Sequence, residues 1–431
     1  MAYDINELII TDEGTDERIK EGIEKNRKGN FSVKTGLKAG EKVSVKLKNH
    51  KFRFGCNMFM LDEIPDDQRK NELYKEKLAA LFNMATVPFY WDATEPTEGH
   101  TRYDKNSEKI YRRPPTDLCV EFCEKNGIEP REHALCYDGF FPKWLKGKSD
   151  VEVKAHLEKR MKEISERYAD KIHTIEVTNE MFWGDGWVTD FYLAPDFMEW
   201  CYKKTAEYFP NNQLCINEWT WGIWNTRACA YDAYYMMIEN LLMKGCKIDA
   251  IGAQYHMFHR AEKYFDETRR FYNLPHLFEA LDNYGRFKKP IEITEVTIPA
   301  FTVEEADEES QADVIERLYS VWFSHENVSQ IIYWNLADGY AAFTTPGNMK
   351  EGENYYRGGL LRFDMSEKPA YKRLRHLIKE VWTTNEELTA DEKGEVKFRG
   401  FYGDYEIIVK DESGERVIDA KLYENNDSVE I

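Results

Sequence analysis

The chain has 431 residues, 42% apolar and 32% charged, a composition of soluble globular proteins rather than of disordered or collagen-like ones. No stretch approaches ~18 uninterrupted apolar residues, so a membrane-spanning helix is not expected. The formal charge of −19 repels phosphate backbones and anionic lipid, which argues against nucleic acid and membrane surfaces as partners.

The opening segment, MAYDINELIITDEGTDERIK, has no basic stretch followed by an apolar one. No signal peptide is read there, and the expected location is cytoplasmic. Residues 15–28 predict a short polar helix. The next segment, FSVKTGLKAGEKVSVKLKNHKFRFG, alternates apolar and polar residues around Gly40 and predicts small antiparallel strands. Residues 1–51 thus read as an N-terminal helix and β extension.

From 52 to 382, short β-branched or aromatic runs alternate with stretches of helical period. The candidate strands are 52–58, 82–90, 131–137, 172–178, 213–217, 249–255, 290–295 and 329–335. Among the helices, Leu157, Met161, Ile164 and Tyr168 share one face, as do Val314, Leu318, Tyr319 and Trp322. Eight strands alternating with helices predict the α/β class and a (β/α)8 TIM barrel. In the tail, 383–431, GEVKFRGFYGDYEIIVKD and RVIDAKLY flank a Ser413-Gly414 turn and predict a β-hairpin in a small terminal sheet.

The eight cysteines (Cys56, Cys119, Cys123, Cys136, Cys201, Cys215, Cys229 and Cys246) are scattered without zinc spacing, and a chain this long needs no disulfide staples. Free buried thiols are the reading. Cys119 and Cys123, four apart on a helix, read as core rather than as a metal pair. Aromatic residues are abundant, with 11 Trp, 26 Tyr and 24 Phe. Most belong to the core, but such rings also pack on the apolar faces of sugars.

Reactive residues of such a barrel sit at the carboxyl ends of its strands. Strand four ends in Asn179-Glu180, strand five in Asn217-Glu218-Trp219, strand six in Gln254 and His256, strand seven in Glu295, and strand eight carries Trp334. Alone, Glu180 reads more readily as a first-turn helix acid and Glu295 as a loop acid than as catalytic groups. Together, two carboxyls at one end of one barrel fit glycoside hydrolysis, in which one donates a proton and the other attacks or activates water. No Asp/Glu/His ligand set at three strand ends is apparent, and hydrolysis requires only the two carboxyls and water, so no metal and no cofactor is expected.

Eight strings carry a resemblance: WDATEPTEG (91–99), GIEPREHALCYDGFFPKWL (127–145), EVTNE (176–180), INEW (216–219), IGAQYH (251–256), EITEVTI (292–298), YWNLADG (333–339) and LLRFD with KPAY (360–371). In that order they resemble glycoside hydrolase family 10, the xylanase family, whose retaining enzymes are (β/α)8 barrels. The resemblance runs from about 52 to 382. It implies Glu180 as acid/base and Glu295 as nucleophile, with Asn179 on the sugar 2-hydroxyl. It further implies His256 orienting Glu295, Gln254 and Trp334 lining the subsite of the reacting sugar, and Asn217 in the strand-five motif. The implied partner is an oligosaccharide or polysaccharide β-glycoside. The oligomeric state stays open.

The departures concern the glycone side of the cleft. Where the family carries Glu-Asn and then Lys, this chain has Thr86, Val87 and Tyr90; the family's Trp-His after strand three is Tyr137-Asp138. Tyr90, Tyr137 and Asp138 are taken as substrate-contacting replacements. Thr297 stands for an Asp two beyond the nucleophile, and Ala341-Ala342-Phe343 for a second tryptophan. Catalysis is therefore expected on xylo-oligosaccharides or decorated xylan fragments, with a different or aryl-linked β-glycoside as the alternative. A catalytically silent carbohydrate-binding barrel is the second alternative, disfavoured by the presence of both glutamates. A metal-dependent lyase or isomerase ranks last. The pair Arg112-Arg113 reads either as an anchor for an acidic sugar or as a loop fastener paired with local acids, and the fastener is the preferred reading.

Overall fold

A computed structural model of the chain describes residues 5–65, 67–182, 186–225, 232–411 and 414–430. Two strands precede the barrel, β1 (Lys28–Lys34) and β2 (Lys42–His50). Eight strands then close it: β3 (Arg53–Asn57), β4 (Met84–Pro88), β5 (Glu129–His133), β6 (Thr174–Asn179), β7 (Gln213–Glu218), β8 (Ala250–His256), β9 (Ile291–Thr297) and β10 (Val328–Tyr333). Every pairing around the ring is parallel, with β10 returning to β3. The expected TIM barrel is the fold.

The helices cover the barrel for the reasons their sequences give. Residues Asp150–Tyr168 form one, opened by a Ser149–Glu152 capping box, with Leu157, Met161, Ile164 and Tyr168 buried. Another spans Glu305–Ser324 and buries Val314, Leu318, Tyr319 and Trp322. The polar helix near the N-terminus runs Glu13–Arg27, capped by Asp12. Among the described residues, no helix is long and apolar enough to cross a membrane.

Two expectations change. The third barrel strand ends at His133 rather than 137, because the apolar run Ala134–Tyr137 leaves the regular ladder. Leu135 and Cys136 still donate to the Glu176 and Val177 carbonyls, at 2.9 Å each, so this run carries Tyr137 over the barrel mouth. The C-terminal hairpin is also not a sheet of its own. Strands β11 (Asn385–Thr389), β12 (Glu395–Phe401), β13 (Gly403–Asp411), β14 (Gly414–Leu422) and β15 (Ser428–Glu430) pair with the N-terminal extension. One sheet is ordered β12-β1-β15 and the other β11-β2-β13-β14. Strand β2 alternates buried Val43, Val45 and Leu47 with polar residues, and a strand with one apolar face requires a partner layer. The two chain ends supply it to each other. The turn residue Ser413 lies outside the described residues, as does Cys229. The other seven cysteines are free and buried.

Candidate active site

The carboxyl ends of β6 and β9 bring Glu180 and Glu295 to one cavity of about 420 Å3, also lined by Tyr90, Gln254, His256 and Trp334. Glu180 follows the last residue of β6 with φ +53°, a left-handed conformation uncommon for a residue other than glycine, and its N–H donates to the Asn217 carbonyl at 3.2 Å. Its carboxyl accepts from the Tyr137 hydroxyl on Oε2 and from Gln254 Nε2 on Oε1, the latter at 3.0 Å. Glu295 is held by different groups. Asn217 Nδ2 donates to its Oε1 at 3.0 Å, and His256 Nε2 lies 3.1 Å from its Oε2.

An amide network joins the two acids. Asn217 Nδ2 also lies 2.9 Å from Asn179 Oδ1 and 3.1 Å from Glu176 Oε1, while its own carbonyl accepts from Thr294 at 2.7 Å. Gln254 Nε2 reaches Asn179 Oδ1 at 3.2 Å. Trp334 closes one wall, packed edge-on against His256, His133 and Phe59.

Beneath this layer lies a charged floor that sequence reasoning missed. Glu176, on β6, accepts from Arg131 at 2.5 Å and from His133 Nδ1 at 2.9 Å, both on β5. His133 Nε2 lies 2.9 Å from the Tyr90 hydroxyl. Arg131 and His133 alternate on one strand, so both side chains enter the barrel. The expectation that no Asp/Glu/His set converges is thereby corrected: ligand atoms of His133, Glu176 and Glu295 lie within 4.8 Å of one another. Their residues come from three strands, so only the closed barrel unites them. Here the Arg131 guanidinium already supplies positive charge to Glu176, and both His133 nitrogens are hydrogen-bonded.

The floor sets protonation. Burial alone would raise Glu176, but His133 and Arg131 outweigh it and hold the carboxyl at about 2. The same pairing raises His133 against its own burial penalty. Burial brings His256 down to about 4, so at neutral pH its ring carries one N–H. With Nε2–H given to Glu295, Nδ1 accepts from the Thr297 hydroxyl, 2.9 Å away. Thr297 can also accept, so the position usual for an aspartate holds a group that serves either tautomer. Burial pushes Glu295 up to about 8, helped by the charges of Glu176 and Glu180 and opposed by His133 and Arg131.

An attacking carboxylate must be ionised, so kcat/KM is expected to rise with pH along a limb well above the ~4.3 of an ordinary glutamate, toward 8. Asn217→Ala withdraws a donor to the ionised form and should move that limb higher. A pH–rate profile of both proteins checks this, and a limb near 4 in both would refute it.

Most residues singled out from sequence line the cavity: Asn179, Glu180, Gln254, His256, Glu295, Trp334, Tyr90 and Tyr137. Two do not. Asp138 is 1% exposed, and its carboxylate accepts from the backbone of Val188 and Thr189 and from the Thr189 hydroxyl, fastening the segment that holds those two residues. Asn217 is fully buried, because the β6–β7 register sets it directly beside Asn179. It organises the two acids from below rather than facing the cavity. Thr86 and Val87 are buried in β4, at 1% and 0% exposure. Residues missed outright include His133 and Phe59 as lining groups. The signal for the first was available, since Arg131, His133, Glu176 and Glu292 are charges inside strands that a barrel buries on both faces.

The family model described as glycosyl hydrolase family 10 matches residues 47–376, most of the chain and the whole ring of strands. The chain belongs to glycosyl hydrolase family 10. Family relatives remain distant in sequence. Endo-1,4-beta-xylanase B of Thermotoga neapolitana is 24% identical over 339 residues, covering 76% of this chain and 88% of that protein. Anti-sigma-I factor RsgI6 of Acetivibrio thermocellus is 25% identical over 374 residues, covering 85% of this chain but 42% of that protein. The chain thus spans less than half the length of the second of these relatives. In the same family, the native xylanase 10B structure from Thermotoga maritima superposes with a TM-score of 0.60 at 21% identity, covering 77% of this chain and 96% of that one, which shows the shared fold.

Proposed function

We propose that this protein is a retaining β-glycosidase of xylanase type, with Glu295 as nucleophile and Glu180 as acid/base. The observation that carries the reading is the unequal support of two carboxyls in one cavity. Glu295 accepts from an amide and a neutral imidazole, donors suited to its ionised form. Glu180 stands at the rim, held by a phenol and an amide.

In the first step Glu295 attacks the anomeric carbon while Glu180 donates its proton to the departing oxygen. The covalent glycosyl-enzyme carries no charge on Glu295. In the second step Glu180, now ionised, takes a proton from water, and the resulting hydroxide displaces Glu295. Retention by this route calls for carboxyls ~5–5.5 Å apart. Asn179 sits between the two acids in the amide network, where a sugar 2-hydroxyl would meet it.

The substrates proposed are xylo-oligosaccharides or decorated xylan fragments. Relatives named as endo-1,4-beta-xylanases support the sugar, and the rebuilt glycone wall argues against long unbranched chains. In place of three polar family residues stand two sealed side chains and Tyr90, which rests 4.3 Å from the Phe140 ring. Each missing hydrogen bond to a sugar hydroxyl weakens binding by ~0.5–1.5 kcal/mol, or ~1.5–3 where the partner was charged. Stacking on Tyr137 and Phe140, both in the cavity wall, recovers part of this without demanding one hydroxyl pattern. Accordingly kcat/KM on short or decorated oligosaccharides should exceed that on linear xylan, compared per cleavable bond, by on the order of 10²-fold. Equal efficiency on both would refute the rebuilt-wall argument and leave a plain endo-xylanase.

A further inference from the structure

The loop 110–115 presents two arginines with different fates. Arg112, with φ +60°, is buried, and its Nη1 donates to Asn335 Oδ1 at 3.0 Å and to the Tyr340 carbonyl. It fastens the loop, as preferred from sequence, although through a carbonyl and an amide rather than acids. Arg113 does not follow it. Its guanidinium lies over the Tyr90 ring, 4.0 Å from the centroid, in the wall of the cavity that holds Glu180 and Glu295.

Among the described residues Arg113 makes no ion pair. It gives one hydrogen bond, from Nη1 to the Arg112 carbonyl at 3.0 Å, and Asp92 acts on it only through its field. A guanidinium has five N–H groups in a planar fork, a shape that matches a carboxylate bidentately. Burial already costs this cation, bringing it down to about 10. A half-buried cation with unused donors, stacked on an aromatic ring at the edge of a sugar cavity, is short of an anion.

We propose that Arg113, laid on Tyr90, forms a carboxylate-binding subsite on the glycone side, and that the preferred substrates are β-glycosides carrying a hexuronic acid. This rests on the glycosidase reading above. It reverses the sequence preference for Arg113 while keeping it for Arg112. The uronic acid enters either as the terminal glycone or as a branch on the chain.

Two matched substrate pairs separate these sources. One is an aryl β-glucuronide against the aryl β-glucoside, and the other is a glucuronic-acid-branched xylo-oligosaccharide against the same compound with its carboxyl reduced to the alcohol. Within at least one pair, kcat/KM is expected to favour the acid by ~10-fold or more at 0.05 M salt. That ratio should fall toward 1 in Arg113→Gln and be partly kept in Arg113→Lys. Calorimetric binding of each pair to the Glu295→Gln protein reads the same ratio without turnover. Ratios near 1 in both pairs, or ratios unchanged in Arg113→Gln, would overturn the subsite. Hydrolysis of neutral substrates alongside that result would leave the glycosidase standing. Binding preference without hydrolysis of any glycoside would overturn the glycosidase and keep the subsite.

Discussion

Glu295→Ala is expected to lower kcat by on the order of 10⁵-fold on every substrate, because the covalent route loses the only group that attacks the anomeric carbon. Folding should survive the change. Burial holds this carboxyl above its ordinary value, so the folded protein keeps a proton that the unfolded chain releases. Its contribution to stability therefore declines as pH rises from about 4.5 toward 8. Removing it should leave the thermal midpoint at pH 8 no lower than that of wild type, apart from the small cavity created. Calorimetric melts beside the kinetics separate a lost nucleophile from a lost fold. A variant keeping a tenth of the activity would remove Glu295 from the mechanism.

Glu180→Ala should behave differently, and the difference is diagnostic. Proton donation to a leaving oxygen contributes ~10²–10⁴-fold, and only where the leaving group is a poor one. The variant is expected to lose about that much on xylo-oligosaccharides, yet to form the glycosyl-enzyme almost normally from aryl glycosides with acidic phenols. Because Glu180 also activates water in the second step, a burst of phenol should appear, followed by slow turnover. Pre-steady-state kinetics on a nitrophenyl glycoside check this. An equal loss on both substrate types with no burst would erase the distinction between the two acids.

How much of this was legible in the sequence depends on what each residue has beside it. Glu180, Glu295, Gln254, His256 and Trp334 close apolar runs, and the end of a barrel strand is a place that chain order alone reveals. The third barrel strand reads later in sequence than it lies in the fold, because Ala134–Tyr137 is as apolar as a strand while the ladder stops at His133. The floor of Arg131, His133 and Glu176 stayed hidden for another reason. Its members come from two strands more than forty residues apart in the chain, and only the parallel β5–β6 pairing makes them neighbours. Asp138 reads as a substrate contact because it replaces a family residue, whereas its carboxylate ties down the backbone N–H groups of Val188 and Thr189. The joining of the two chain ends in shared sheets was likewise invisible, since each end alone has the pattern of a self-contained hairpin.

The central claim is double displacement through Glu295, and the stereochemistry of the first product tests it most directly. Proton NMR of a xylo-oligosaccharide digest, recorded before mutarotation, should show the β-anomer of the newly formed reducing end appearing first and the α-anomer only later. An α-anomer formed first would mean that water attacks directly, with Glu295 as its base, and would contradict the account.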